Sequence, residues 1–335
     1  MSDSVLNVAV VGAGGIAGAH VGAAKASGGR VRIVAVVDPL ESSREKTASD
    51  AGGAKVFSSV EGLLESAKEL NLHAAIVCTP PAVRLNIVQA LLGAGIAVLS
   101  EKPLAQSAAA AREIAALAAN HPKVITAVAY CHRFTPAVVE MNRLVEIGRI
   151  GRLTRFENVF ACDLPGHRDK WMSDRSFSGG GAFIDMGCHS LDLYHFMVGR
   201  PKVRGSVFDH TWSGRAESGA TVLVAATTTQ RKNITPGVAG VIESGWAETS
   251  RFTVTLVGTA GTLIYDYEKP GEIVFKDLGG KVELLPIEAH DVRFGRQLLA
   301  FADLVQKGAA CALASFEDGV LAAEAVEQAE AASKG

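Results

Sequence analysis

The sequence predicts a two-domain α/β protein: a parallel sheet flanked by helices, then an α+β half with a large, mostly antiparallel open sheet. Three observations carry this. Short apolar runs alternate with helical stretches up to about residue 130. A glycine-rich turn joins the first run to a helix, and the second run ends in an acid. Beyond that point the strands lengthen and apolar residues alternate with polar ones, as half-exposed antiparallel strands require. The domains are therefore expected at 1–130 and 131–335.

Val5–Val11 is a short apolar run and reads as a buried strand. It ends in Gly12-Ala-Gly14-Gly15-Ile16-Ala17, and a helix follows to about Ser27. Val31–Val37 is the next strand and stops at Asp38. Strand, glycine turn, helix, strand and acid in this order make the dinucleotide-binding, or Rossmann, arrangement. Gly12 permits the tight turn. Gly14 lets a pyrophosphate reach the amides at the helix start, where the dipole favours anions. Gly15 and Ile16 continue the turn, and Ala17 is small enough for helix–strand packing. The Asp38 carboxylate suits ribose hydroxyls and repels a 2′-phosphate, so NAD is expected ahead of NADP. Arg44, a turn further on, is the one residue that complicates this.

The alternation continues with a helix at Leu63–Leu70 and a strand at Ala74–Cys78. That strand ends in Thr79-Pro80-Pro81, which continues neither a helix nor a central strand. A helix at Val83–Leu92, a strand at Ile96–Leu99, an alanine-rich helix at Ala108–Ala119 and a strand at Val124–Tyr130 complete the half. In an open parallel sheet, ligands bind at the carboxyl ends of the strands. Gly12, Asp38, Thr79, Pro80, Glu101 and Lys102 all fall at such ends, which places Lys102 beside the cofactor.

The second half opens with a helix at Ala137–Ile147, then strands at Leu153–Cys162, Thr221–Thr229, Arg251–Gly258, Gly261–Tyr267 and Glu272–Lys276. Gly237–Trp246 reads either as a loop or as an irregular edge. Helices at Arg293–Lys307 and Phe316–Ala332 close the chain. Between these elements, Gly179, Gly180 and Gly181 precede a helix marked by Ile184, Leu191 and Val198. On that helix Asp185, His189 and Asp192 stand at i, i+4 and i+7 and share one polar face. The stripe is either a satisfied buried network or the wall of a pocket. The same spacing suits zinc, but no Cys or His cluster completes a metal site, and none is expected.

Composition narrows the class. The chain has 335 residues and a net charge of −2, which offers no electrostatic footprint for nucleic acid or an anionic membrane. Its five cysteines are scattered singly, as in a reducing cytoplasm. No stretch approaches the ~18 apolar residues of a membrane span. A soluble cytoplasmic protein is expected.

Several separated motifs together resemble the glucose–fructose oxidoreductase, inositol dehydrogenase and MocA family of NAD(P)-dependent oxidoreductases. They are Gly12-x-Gly14-x-Ile16-Ala17-x-x-His20, Asp38-Pro39, Thr79-Pro80, Glu101-Lys102-Pro103, Arg133-Phe134-x-Pro136, Gly179-Gly180-Gly181-Ala182-x-x-Asp185-x-Gly187-x-His189 and Gly258-Thr259-x-Gly261-Thr262. The resemblance implies a dehydrogenase for a sugar, polyol or sugar derivative, working as a homo-oligomer (dimer or tetramer) through its C-terminal sheet. It implies that Lys102 acts at the nicotinamide and the substrate hydroxyl. Asp185 and His189 would face the substrate, with His189 as proton acceptor. His132, Arg168 and Trp171 are further candidates for substrate contact, each equally readable as structural. Pro81 and Arg84 depart from the family pattern, which often has asparagine and histidine there. A non-catalytic NAD-binding regulator and an enzyme recycling tightly bound NAD(P) remain as alternatives.

Overall fold

A computed structural model describes residues 5–212, 215–309 and 311–334. In chain order the first half contains β1 (Leu6–Val11), α1 (Gly15–Lys25), β2 (Val31–Val37), α2 (Glu41–Asp50), β3 (Lys55–Phe57) and α3 (Val60–Glu65). It continues with β4 (Ala74–Val77), α4 (Arg84–Gly93), β5 (Ala97–Ser100), α5 (Ala108–Ala119) and β6 (Thr126–Val128). Then come α6 (Pro136–Glu146), β7 (Leu153–Asp163), α7 (Arg175–Ser178) and α8 (Cys188–Met197). Seven strands follow: β8 (Pro201–Asp209), β9 (Gly219–Ala226), β10 (Ala239–Gly245), β11 (Ala247–Gly258), β12 (Gly261–Asp266), β13 (Glu272–Asp277) and β14 (Val282–Pro286). The chain closes with α9 (Arg293–Lys307) and α10 (Phe316–Ala332).

The chain divides into two compact units. One holds residues 1–105, 109–134 and 292–320, and the other holds 106–108, 135–291 and 321–335. A single cut at residue 130 does not describe this division, because α9 returns to the first unit. Its Leu298, Phe301 and Ala302, at i, i+3 and i+4, are fully buried in the same core as Ala17, Val21 and Ala24 of α1. Burying a side chain the size of Leu298 or Phe301 contributes about 1.5–3 kcal/mol.

The first unit is built on a six-stranded parallel sheet in the order β3-β2-β1-β4-β5-β6. Its central strands are apolar throughout because helices cover both faces of such sheets; Val8, Val10, Ile76 and Leu99 are fully buried. The expected helix at Leu63–Leu70 starts earlier, at Val60, where Ser59 Oγ accepts the Gly62 amide at 3.3 Å, and it breaks into turns after Glu65. The polar helix α2 buries only Thr47 and Ala48, so apolar periodicity did not mark it.

The second unit carries an eight-stranded sheet in the order β14-β13-β12-β11-β7-β10-β9-β8. Every pairing is antiparallel except β7 with β10. The ambiguous stretch 237–246 thus contains a central strand, not a loop or an edge. Gly240, Glu243 and Gly245 interrupt its apolar alternation, and only the two neighbouring strands reveal its place. Among the described residues, no helix is long and apolar enough to cross a membrane.

Candidate active site

In the first unit, the glycine turn after β1, Asp38 after β2, Thr79-Pro80 after β4 and Glu101-Lys102 after β5 lie along one edge of the parallel sheet. Gly12 takes a φ of 96°, and a Cβ there would lie 2.8 Å from the Cys78 carbonyl carbon, so only glycine fits between β1 and β4. Over Gly14 and Gly15 the space is open: a Cβ built on either meets nothing within 4 Å. Helix α1 begins at this opening with no side-chain cap and no acidic residue in its first turn. The first amides of the helix, at Gly15 and Ile16, are therefore available to an anion, while that of Ala17 donates to the Gly14 carbonyl at 3.1 Å. Ile16 and Ala17 form that first turn, with Ala17 fully buried.

Asp38 is fixed beside the turn. One carboxylate oxygen accepts the Ala13 amide at 2.8 Å and the other accepts the Leu40 amide at 2.9 Å. Arg44 is tied to backbone at the same strand end. It donates to the Asp38 and Pro39 carbonyls at 3.4 and 3.1 Å and lies 3.4 Å from the Glu41 carboxylate. Open glycine turn, uncapped helix and adjacent carboxylate fit the pyrophosphate and ribose of a nicotinamide dinucleotide. Gly14, Gly15 and the α1 amides would hold the former, and Asp38 the latter.

Lys102 is half-buried in a tightly held segment. Its own amide donates to Glu101 Oε2 at 3.1 Å. The other oxygen of Glu101 meets His20 Nε2 at 2.8 Å, with both side chains buried. The Glu101 carboxylate therefore faces inward and braces the loop. His20, on α1, is its anchor. Arg84, only 2% exposed, donates from Nη1 to the carbonyls of Glu101 and Pro103, on either side of Lys102. Pro81 opens the short 3₁₀ turn that leads into Arg84. His132 lies just after β6 in a turn at Cys131–Phe134. Burial, aided by the nearby cations Arg293 and Lys102, holds its imidazole well below the usual range. It is neutral at physiological pH.

In the second unit the stretch after the three glycines is not one continuous α-helix. Phe183–Gly187 forms a π turn, and α8 begins only at Cys188. This corrects the even i, i+4, i+7 stripe, since the wider turn shifts Asp185 relative to the residues that follow. Within it the Phe183 ring lies where a Cβ on residue 187 would be, 2.3 Å away, which explains the glycine there. Asp185 and His189 are half-buried, whereas Asp192 is only 2% exposed and belongs to the interior.

Two residues that sequence spacing did not mark hold this turn. Glu217 is buried, and its Oε1 accepts the amides of Gly181 at 2.7 Å and Phe183 at 3.3 Å. Its backbone carbonyl lies where a Cβ on residue 181 would be, 1.9 Å away, which explains the glycine there. Trp246, fully buried at the end of β10, donates its indole N–H to Asp185 Oδ2 at 3.2 Å and stacks on Trp212. Arg168 and Trp171 are exposed on the loop that precedes α7, with Trp171 at 42%. Among the described residues, no three His, Cys, Asp or Glu side chains gather as a metal site would.

The first unit's fold and edge define a nicotinamide dinucleotide-binding domain. The chain belongs to the Gfo/Idh/MocA oxidoreductase family: residues 6–130 match its NAD-binding Rossmann fold and residues 138–264 its C-terminal domain. It is 30% identical to the rhizopine catabolism protein MocA of Rhizobium meliloti, over 57% of this chain and 56% of that protein. It is also 30% identical to D-glucoside 3-dehydrogenase of Escherichia coli (strain K12), over 63% of this chain and 59% of that protein. The chain thus spans somewhat over half the length of these curated relatives. A solved structure of levoglucosan dehydrogenase in complex with NADH has the same fold, with a TM-score of 0.86 at 20% identity, covering 99% of this chain and 97% of that one.

Proposed function

We propose that this protein is a NAD-dependent dehydrogenase acting on a secondary alcohol of a sugar, polyol or sugar derivative. One observation carries the reading: a lysine braced on both sides follows β5, on the same sheet edge as the open glycine turn and Asp38. When bound, NAD supplies the hydride acceptor. The remaining task is the hydroxyl proton, which is too weakly acidic for water alone to remove at neutral pH. His189 serves as general base, since an imidazole with a reference pKa of about 6.5 suits that role. The Lys102 ammonium stabilises the developing alkoxide. Asp185 orients a substrate hydroxyl or the imidazole. His132, as a neutral imidazole near Lys102, is suited to hydrogen bonding with substrate, and Arg168 and Trp171 offer exposed contacts.

NAD is preferred to NADP because Asp38 stands beside the ribose site and Arg44 is engaged by carbonyls. Exposed Val207, Leu223 and Leu284 on the eight-stranded sheet support a homo-oligomer, dimer or tetramer, formed through that sheet. Five singly scattered cysteines, none in a disulfide among the described residues, favour the cytoplasm.

A panel of sugars, glycosides and inositols with NAD, read as NADH absorbance, tests the reaction. At least one compound should give steady NADH formation. A protein that binds NAD but turns over none of the panel would instead be a regulator.

A further inference from the structure

Arg84 is the first residue of α4, yet its side chain does not extend into solvent. It is only 2% exposed and folds back onto the strand-end loops. Nε and Nη2 donate to the Thr79 carbonyl at 3.0 and 2.6 Å. Nη1 donates to the carbonyls of Glu101 and Pro103. One planar cation thus gathers three carbonyls from two strand-end loops, the one after β4 and the one after β5. Lys102 lies between two of them.

Neighbouring backbone amides of this segment are also held. The Glu101 amide donates to Val77 O at 2.9 Å, within the sheet edge. The Lys102 amide donates to the Glu101 carboxylate, which His20 anchors. Pro103 has no amide to satisfy. Of these holds, only Arg84 grips both sides of Lys102 and also ties the segment to the neighbouring loop. A guanidinium presents five donors in a rigid fork. A lysine at position 84 offers one nitrogen for three carbonyls, and the histidine common in the family offers at most two N–H groups.

We propose that Arg84 is a positioning residue that fixes where the Lys102 ammonium stands by clamping the carbonyls of Glu101 and Pro103 to that of Thr79. The proposal rests on the role given to Lys102 above. Its effect is on geometry: a shift of about 1 Å at a reacting group can cost on the order of 100-fold in rate.

The test uses Arg84→Lys, Arg84→Gln, Lys102→Ala and each Arg84 change combined with Lys102→Ala. Turnover is measured with NAD and whichever of myo-inositol and methyl β-D-glucoside the wild type oxidises faster. NAD affinity and amide hydrogen exchange over residues 99–106 are followed separately. Both single Arg84 variants should lose kcat by about 10–100-fold, keep NAD affinity within about threefold, and exchange faster at residues 99–106. In the Lys102→Ala background the same changes should cost less than about twofold further, because the group they position is gone. Wild-type kcat in Arg84→Lys, multiplying losses in the double variants, or loss of NAD binding in both single variants would each overturn the proposal. Full turnover in Lys102→Ala refutes the role of the lysine instead. Exchange at residues 99–106 still decides whether Arg84 holds that segment.

Discussion

The indole N–H of Trp246 donates to Asp185 Oδ2 at 3.2 Å, which links the end of β10 to the π turn before α8. The ring is fully buried and stacks on Trp212 with centroids 5.8 Å apart, so it cannot swing away from the carboxylate. One oxygen of Asp185 is thereby fixed in direction before any substrate arrives. Trp246→Phe keeps most of the ring and removes the donor. Hydrogen bonds to a charged group are worth about 1.5–3 kcal/mol. The variant should lose about 10–100-fold in kcat/KM for the alcohol and leave NAD affinity unchanged. Wild-type kcat/KM in that variant would separate Asp185 from the reaction.

Glu217 makes stability depend on pH in an uncommon direction. Burial raises its pKa above the ordinary 4.5, against the opposing pull of the Gly181 amide, its own backbone, Arg175 and the Phe183 amide. The folded state therefore holds the proton more tightly than the unfolded chain. Stability from this group is fullest below about pH 4.5 and declines as pH rises through the folded pKa. Glu217→Gln stays neutral, and its amide oxygen still accepts from Gly181 and Phe183. Relative to wild type, its urea midpoint should climb as pH rises above 4.5 and then level off. A difference that is flat with pH would mean Glu217 ionises as readily folded as unfolded.

His132 acts in the opposite sense. Its folded pKa lies well below 6.5, mainly through burial and then through Arg293 and Lys102. The unfolded chain takes up the proton first, so stability is complete above about pH 6.5 and falls as pH drops toward the folded value. His132→Gln should remove this contribution, making the midpoint less sensitive to pH between about 6.5 and 5 than in wild type. Equal sensitivity in the two proteins would place the imidazole in water.

Asp38→Ala removes the carboxylate that accepts the Ala13 and Leu40 amides. NAD affinity should fall and the preference over NADP should narrow by about 10-fold or more, since one charge repulsion and one ribose acceptor are lost together. A wild type that uses NADP more efficiently than NAD would reverse the reading of this position.

The parallel half was largely legible from sequence because its signals are local. An apolar strand, a glycine turn and an acid sit within about thirty residues, and each has one mechanical reason to be there. The strand β10 was not legible, since Gly240, Glu243 and Gly245 break its pattern and its place comes from β7 and β9. The same holds for the supports of the candidate site. Asp185 and His189 announce themselves by spacing near a glycine loop. Trp246, Glu217, His20 and Arg84 act from 61, 36, 81 and 17 residues away from their partners, distances at which no periodicity operates. The π turn was hidden for a related reason. Apolar spacing alone reads that stretch as an ordinary helix, and the close approach of the Phe183 ring to Gly187 is visible only in three dimensions.

His189 and Lys102 should fail differently when removed. If His189 is the base, His189→Ala leaves the hydroxyl proton without an acceptor, and turnover should drop by about 10²–10⁴. Hydroxide can take that proton, so the loss should shrink as pH rises toward about 10. Lys102→Ala removes a positive charge from the developing alkoxide, and loss of one such interaction costs about 10²–10³ in turnover. Hydroxide cannot replace a cation, so raising the pH should leave this deficit in place. Both variants should bind NAD with nearly wild-type affinity, because the open turn over Gly14 and Gly15 and the carboxylate of Asp38 are untouched. The measurement is turnover against pH for both variants, with NAD titrated separately by fluorescence. High turnover in His189→Ala with the wild-type pH profile would assign the proton to another group, and His132 would be the next residue to replace. A Lys102→Ala deficit that high pH repairs would make the lysine, in its neutral form, the proton acceptor in place of His189.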